Sequence, residues 1–377
     1  MSADGSGTRP GDPRAGQLGA VWTRIYHHQL FWPVAVLVAL LVLNVSYRPS
    51  FISLTMLQGH LYGSIIDIIR HAAPLILVAL GMTLVIATRG IDLSVGAVAA
   101  IAGAMACLHI SKQEDQSSVA GVVVALLLGV LVALACGLWN GVLVAGMGIQ
   151  PIIATLILMV AGRGVAQLIT SGQIITIRSP AYAAISTGYW LALPIAIFIA
   201  AAVVAVVALV TRRTALGLII ESVGGNAEAS RLAGIRSRRF ILLVYMVCGL
   251  CAGLAGFMLT ADISAADGNN AGLWIELDAI LAVVIGGTSL AGGRFSIGGT
   301  VLGALIIQTL TTTVYAMNID PQTSLLFKAI VVIIVCLIQA PAFRARIARL
   351  ARWGRRPPAP PTPAATTPDL HEIEVAS

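Results

Sequence analysis

Apolar residues along this chain come in long runs. Ten such runs lie near residues 30–46, 64–88, 93–110, 119–146, 152–171, 190–211, 240–261, 276–292, 297–316 and 325–340. Most approach the roughly 20 residues a helix needs to cross the hydrocarbon core of a bilayer. Runs 93–110, 276–292 and 325–340 are short, and either of the first two could be a half-helix that re-enters the membrane. The pattern predicts an all-α, polytopic membrane protein of about ten transmembrane helices, some short or broken. Residues 30–340 form the membrane domain in this reading. Residues 1–29, with a Gly/Pro/Arg-rich start and no apolar core there, read as an N-terminal tail and not a cleaved signal. Residues 341–377 read as a tail that is first basic, then Pro-rich and disordered.

Composition points the same way. Hydrophobic side chains make up 58% and charged ones 10% of the 377 residues, against about 25% charged in an average globular chain. With a mean hydropathy of +0.93, two soluble domains are excluded. The net charge of +7 does not indicate nucleic acid, because the charges lie at chain ends and beside apolar runs. Of 23 Arg and Lys residues, 17 fall in the tails, at Arg89, at Arg294 and in segment 212–239, giving that face a net charge of +9. Arg48, Arg70, Lys112, Arg178 and Lys328 fall on the opposite face, which nets −3. The positive-inside rule then places both termini and 212–239 in the cytoplasm.

Soluble-enzyme chemistry has little to work with. Neither lysine sits in a Gly-rich loop, so there is no P-loop for ATP phosphates. Cys248 and Cys251 spell C-x-x-C, yet there is no βαβ context and no second pair for zinc, so they read as small helix residues. Gly287-Thr-Ser289-Leu-Ala291 approximates a nucleophile elbow but has no paired His or Asp. The expectation is a chain that binds no cofactor of its own and catalyses nothing.

Segment 212–239 carries six arginines and helix punctuation at both ends. Asn226 can N-cap and Gly234 can supply a left-handed stop, leaving Ala227–Ala233, about 10 Å of helix at 1.5 Å per residue. Helices below about 12 residues are marginal alone in water. This one either docks its small Ala/Ser face on a partner or lies on the membrane surface, for which its apolar stripe is poor. Gly90-Ile-Asp92-Leu-Ser94 interrupts another apolar run with a breaker and two capping residues. It is either a break lining a transport path or a tight hairpin between spans. Ser94-Val-Gly96 and Ser296-Ile-Gly298 form an internal echo 202 residues apart. Asn140, Thr155, Arg163, Gln167 and Gln308, with Thr311–Thr313, are polar residues inside spans and candidates for a conduit; Arg163 could equally pack on backbone carbonyls. Asp262, Asp267, Asn269, Asn270, Trp274, Glu276 and Asp278 gather at an outer mouth suited to sugar hydroxyls or to docking a soluble binding protein.

Glu221-Ser-Val-Gly224-Gly-Asn226-Ala227-Glu-Ala229-Ser230-Arg231-Leu-Ala-Gly234-Ile resembles the coupling segment of permease subunits in sugar ABC importers. Gly81-Met-Thr-Leu-Val-Ile-Ala-Thr-Arg89-Gly90-Ile-Asp92-Leu-Ser94-Val-Gly96 is similar to a long signature of the same class, with Arg89 where the class usually has glycine. Gly137-Leu-Trp-Asn140-Gly and Gln150-Pro-Ile-Ile-Ala-Thr155 follow in order. Residues 261–278 and 292–295 look most like those of galactofuranose permeases. The resemblance covers about residues 60–340 and implies a permease subunit, without its own ATPase site, of an ATP-driven, binding-protein-dependent importer for a monosaccharide. The implied partners are a second permease copy or a homologous permease, a cytoplasmic ABC ATPase, an extracytoplasmic sugar-binding protein and membrane lipid, in a bacterial inner membrane. An ion-gradient-driven secondary transporter is the alternative, but it calls for an acid deep in a span, and the acids lie at span ends. An intramembrane enzyme would need paired groups at mid-depth.

Overall fold

A computed structural model describes residues 30–57, 59–317 and the isolated helical positions 323, 326, 329, 330, 333 and 337. The tails 1–29 and 341–377, most of the run 325–340, and Lys328 and Cys336 lie outside the described residues. The helices are α1 (Phe31–Tyr47), α2 (Ser64–Ala87), α3 (Val95–Ser111), α4 (Val119–Gly141, continued by a π turn at Val142–Gly146), α5 (Pro151–Ile169) and α6 (Pro180–Thr187). They continue as α7 (Ile195–Arg213), α8 (Ala215–Gly225), α9 (Ala227–Leu232), α10 (Ser237–Ile263), α11 (Ile275–Ile285) and α12 (Ile297–Ala316). Three antiparallel ribbons of two or three residues per strand complete it: β1 (Thr55–Leu57) with β2 (His60–Tyr62), β3 (Ile175–Thr176) with β6 (Ala265–Ala266), and β4 (Tyr189–Trp190) with β5 (Leu193–Pro194).

Six of the described helical segments are long and apolar enough to span a membrane: 64–87, 119–146, 151–169, 195–213, 237–263 and 297–316. The chain is therefore a polytopic helical protein, but the expected count of ten spans is not established. Runs 30–46 and 93–110 give helices of 17 residues each. Run 276–292 gives only the 11 residues of α11, because the glycines from Gly286 onward let the chain leave the helix; Gly287, Gly292 and Gly293 all have positive φ.

Burial ranks the helices. The span window of α2 is 78% buried, whereas those of α5 and α7 are each 22% buried. α10 crosses α2, α3 and α4, and these four make the centre. Backbone proximity explains why their sequences are rich in Gly and Ala. At Gly256 of α10 an added methyl would collide with the backbone carbonyl of Ala99 in α3. In lipid no hydrophobic force drives one helix onto another, so such close approaches supply the packing.

The crossing makes a testable claim. Gly256→Ala should cost about 1–3 kcal/mol, the usual range for overpacking. Gly164→Ala, also inside a helix but with nothing within 4 Å of the added atom, should instead be neutral or stabilising by up to about 1 kcal/mol. Thermal unfolding of the detergent-purified chain compares them, and equal shifts would refute the close crossing.

Candidate functional site

Segment 212–239 is not an open loop. α7 runs on to Arg213, and Thr214 then turns the chain: its Oγ1 donates to the Val210 carbonyl (2.6 Å) and accepts from the Leu216 amide (3.2 Å). α8 buries Gly217, Ile220, Val223 and Gly224. The spacing of Leu216, Ile220 and Val223 is helical, a signal hidden by the flanking arginines and by Gly217. Asn226 N-caps α9 as its side chain predicts, Oδ1 accepting from the amides of Glu228 (3.1 Å) and Ala229 (3.0 Å). α9 is six residues long and Gly234 follows at φ 86°, the left-handed stop.

The faces of this segment divide cleanly. Ser230 is buried and Glu221 half-buried, while Ala227, Ala229, Leu232, Ala233 and Gly234 are exposed. Leu232, which sequence reasoning passed over, is 77% exposed. Beside this face Glu228 and Arg231 pair across one turn. The hydrogen bond from Arg231 holds the Glu228 carboxyl below its usual range, and the same bond raises Arg231.

α8 ends at a junction of three segments. The Gly293 amide donates to the Ala87 carbonyl at the end of α2 (2.9 Å). Gly224 lies so close to that carbonyl that a methyl would collide with it, and would stand 2.7 Å from the Gly293 nitrogen. Arg89 closes the junction. Its Nε donates to the Ala291 carbonyl (3.0 Å) and an Nη to that of Gly225. Arg89 has φ 65°, a left-handed conformation that costs a non-glycine residue roughly 1–2 kcal/mol. Arg89, not Gly90, is therefore the left-handed residue of this turn.

Beyond Arg89 the break 90–94 turns inward. Oδ1 of Asp92 accepts from the Ser94 amide (2.9 Å) and hydroxyl (2.6 Å). Asn140 Nδ2 donates to Ser94 Oγ (2.8 Å), and Thr155 Oγ1 to the Ile91 carbonyl (3.2 Å). All four side chains are buried. Asn140 and Thr155 thus fasten the break. Arg163 lies elsewhere, donating to the carbonyls of Ala271 (2.6 Å) and Gly268 (3.5 Å). Gln167 is half-buried on α5, and Gln308 half-buried on α12. Asn140 and Thr155 thus meet at the break, while Arg163 and Gln167 stand further along α5 and Gln308 and Thr311–Thr313 on α12.

The outer-mouth residues are also sorted. Asp262 is taken up by Arg70 (3.1 Å) and Ser186 (3.0 Å). Glu276 is buried in the first turn of α11 and Asp278 is half-buried. Asn269, Asn270 and Trp274 are exposed. Their segment is recessed: Gly268 packs on Ala166 and Thr170 at the end of α5, whereas Gly272 packs on Gly96 in the first turn of α3. Asp267 braces the turn, accepting from the amides of Asn269 (2.8 Å) and Asn270 (3.2 Å) and from Asn270 Nδ2 (2.7 Å). Partial burial pushes its carboxyl up, but these bonds and the Arg163 charge outweigh it and leave Asp267 below its usual value.

Span-length helices around broken ones, with a recessed irregular segment inside, are the build of a membrane transport protein. The chain belongs to the family described as branched-chain amino acid transport system / permease component, whose model matches residues 64–336. It is similar to the galactofuranose transporter permease protein YtfT of Escherichia coli (strain K12), 49% identical over 320 residues, covering 83% of this chain and 91% of the relative. The fructose import permease protein FruF of Bifidobacterium longum (strain NCC 2705) is 39% identical, covering 84% of this chain and 89% of that relative. The ribose import permease protein RbsC of Escherichia coli (strain K12) is 36% identical, covering 80% and 92%. No solved structure matches the chain.

Two measurements test this geometry. Gly224→Ala should loosen α8 from α2, and Asn226→Ala should cost α9 about 1 kcal/mol, the usual loss of an N-cap. Hydrogen exchange should quicken over 215–232 in both, but over 84–92 only in Gly224→Ala; a change confined to α9 in both would refute the junction. At the recessed turn, a depressed Asp267 pKa means its stabilisation is full above the ordinary aspartate value of 3.8 and is lost as pH falls through the lower folded value. Intrinsically corrected exchange of the Asn269 and Asn270 amides should rise as pH falls from 3.8 towards that lower value and level off beneath it, and Asp267→Asn should remove the pH dependence.

Proposed function

We propose that this chain is the permease subunit of an ATP-driven, binding-protein-dependent importer for a monosaccharide, with galactofuranose the first sugar to test. The similarity that carries the reading is the 49% identity to a galactofuranose transporter permease over nearly the whole of both chains. ATP is bound and hydrolysed by a partner ATPase, and this chain holds no cofactor. It sits in a bacterial inner membrane with both termini cytoplasmic, pairs with a second copy or a homologous permease, and receives sugar from an extracytoplasmic binding protein.

The ATPase docks on the exposed face of α9, where Ala227, Ala229 and Ala233 permit close approach and Leu232 supplies an apolar anchor. α9 is too short to order itself, so its cap at Asn226 and its dock on the ATPase fix it together. A displacement of α9 moves α8, and through Gly224 and Arg89 it moves the end of α2 and loop 286–296. ATP closure shifts the permease between inward-open and outward-open states only if the ATPase binds α9 differently in the two. The recessed segment 267–274 presents the amides of Asn269 and Asn270 and the Trp274 ring, groups suited to hydroxyls and to the apolar face of a sugar.

Reconstitution in liposomes with the ATPase and the binding protein tests the reading. Galactofuranose uptake should require ATP and both partners. Gly234→Pro and Ala229→Trp should reduce ATPase co-purification and uptake at least tenfold while membrane insertion stays intact. Uptake by the isolated chain under a proton gradient alone overturns the proposal, as does unchanged co-purification of both variants.

A further inference from the structure

α7 and α10 both lean on α2 but stand apart from each other. Between them lies a groove of about 360 Å³, floored by Leu84 and walled by Val206 and Val210 on one side and Phe240, Leu243 and Leu250 on the other. Its lining is apolar apart from Thr211, whose hydroxyl is spent on the Val207 carbonyl, and Val206 is 59% exposed. The volume falls in the range of ligand sites, about 300–1,000 Å³. On α7 the lining runs from Ala202 to Thr211, about 14 Å at 1.5 Å per residue. That is close to half of the roughly 30 Å hydrocarbon core, the depth of one leaflet.

The groove ends where the charge begins. α7 closes with Arg212 and Arg213, and Arg238-Arg239 immediately precede Phe240. All four arginines are exposed. Arg212 donates to the Phe295 carbonyl (3.2 Å) and lies 5.7 Å from the centre of the Phe295 ring. Segment 211–239 contains two acids, Glu221 and Glu228, and Glu228 is committed to Arg231. Among the described residues no acid pairs with Arg213 or Arg239, and an acyl-chain slot one leaflet deep, with these guanidinium groups next along both helices beyond its end, is complementary to one kind of molecule. Basic pockets between spanning helices bind anionic headgroups in this way, and guanidinium suits phosphate because its donors form a fork.

We propose that the α7–α10 groove is a binding site for one anionic phospholipid, an acyl chain against Val206 and Leu243 and its phosphate on Arg213 and Arg239. Such a lipid would wedge α7 beside α8, next to the segment that moves in transport. The inference rests on the membrane setting alone and is independent of the sugar and of the ATPase.

Native mass spectrometry of the purified full chain, with added cardiolipin, phosphatidylglycerol or phosphatidylcholine, provides the test. The anionic lipids should be retained at least tenfold over phosphatidylcholine. Replacing Arg213 and Arg239 together by glutamine should abolish that preference, and Val206→Trp, which fills the groove, should cut retention of all three lipids. Thermal unfolding and elution volume verify that both variants are folded. Equal retention of charged and zwitterionic lipid, or retention unchanged in folded Val206→Trp, overturns the proposal. A disulfide between two copies carrying Val206→Cys and Leu243→Cys in a cysteine-free chain would also overturn it, by showing that protein covers the groove.

Discussion

The structure turns on one carbonyl. Ala87 is the last residue of α2, and a helix ends with acceptors that have no partner of their own. Its oxygen accepts from Gly293 and lies against the bare Cα of Gly224. Three segments far apart in sequence thus meet through backbone, with no side chain between them to flex. A contact of that kind transmits position, since packed backbone has no slack to absorb a shift. α9 follows α8 at that same end, with Asn226 alone between them, so a shift of α9 has a short and stiff route into the buried α2.

Arg89 sits beside that carbonyl, and its conformation has a cost. A left-handed turn favours glycine. The guanidinium offsets the penalty by donating to Ala291 and Gly225, each on a different segment from its own. Here the local departure and the global contact explain each other: the side chain tolerates the strained backbone because that backbone aims it at two carbonyls. A lysine has no planar fork with which to reach both.

Much of this was legible beforehand, and the failures have physical causes. Asn226 and Gly234 bracket α9 as their chemistry dictates, because caps act through atoms two or three residues away. The membrane class followed from apolar runs. α8 was missed because charge flanks its apolar spacing. The partners of the polar residues in the spans were not legible, because such a residue reveals only that it needs one. For Asn140 and Thr155 the partners are Ser94 and the Ile91 carbonyl, 46 and 64 positions away. Similarly, the acids near the mouth looked alike in sequence, yet Asp262 pairs with Arg70 while Asp267 folds back on its own turn. Pairings over such distances follow from how helices cross, which no local pattern encodes.

The echo 202 residues apart acquires a meaning in three dimensions. Ser94 and Ser296 stand at the N-caps of α3 and α12, each after a glycine-containing turn. The two units also touch: Arg89 reaches Ala291 at the same separation, and the hydroxyls of Thr83 and Thr300 lie 2.7 Å apart. Gly224 therefore touches both breaks together, one through Ala87 and the other through Gly293. Because α11 is only 11 residues long, the far end of the second unit is the recessed segment that bears Asn269, Asn270 and Trp274. The same shortness that kept α11 from being a full span leaves irregular backbone where a solute could meet it, and joins that backbone by a single short helix to the junction with α8.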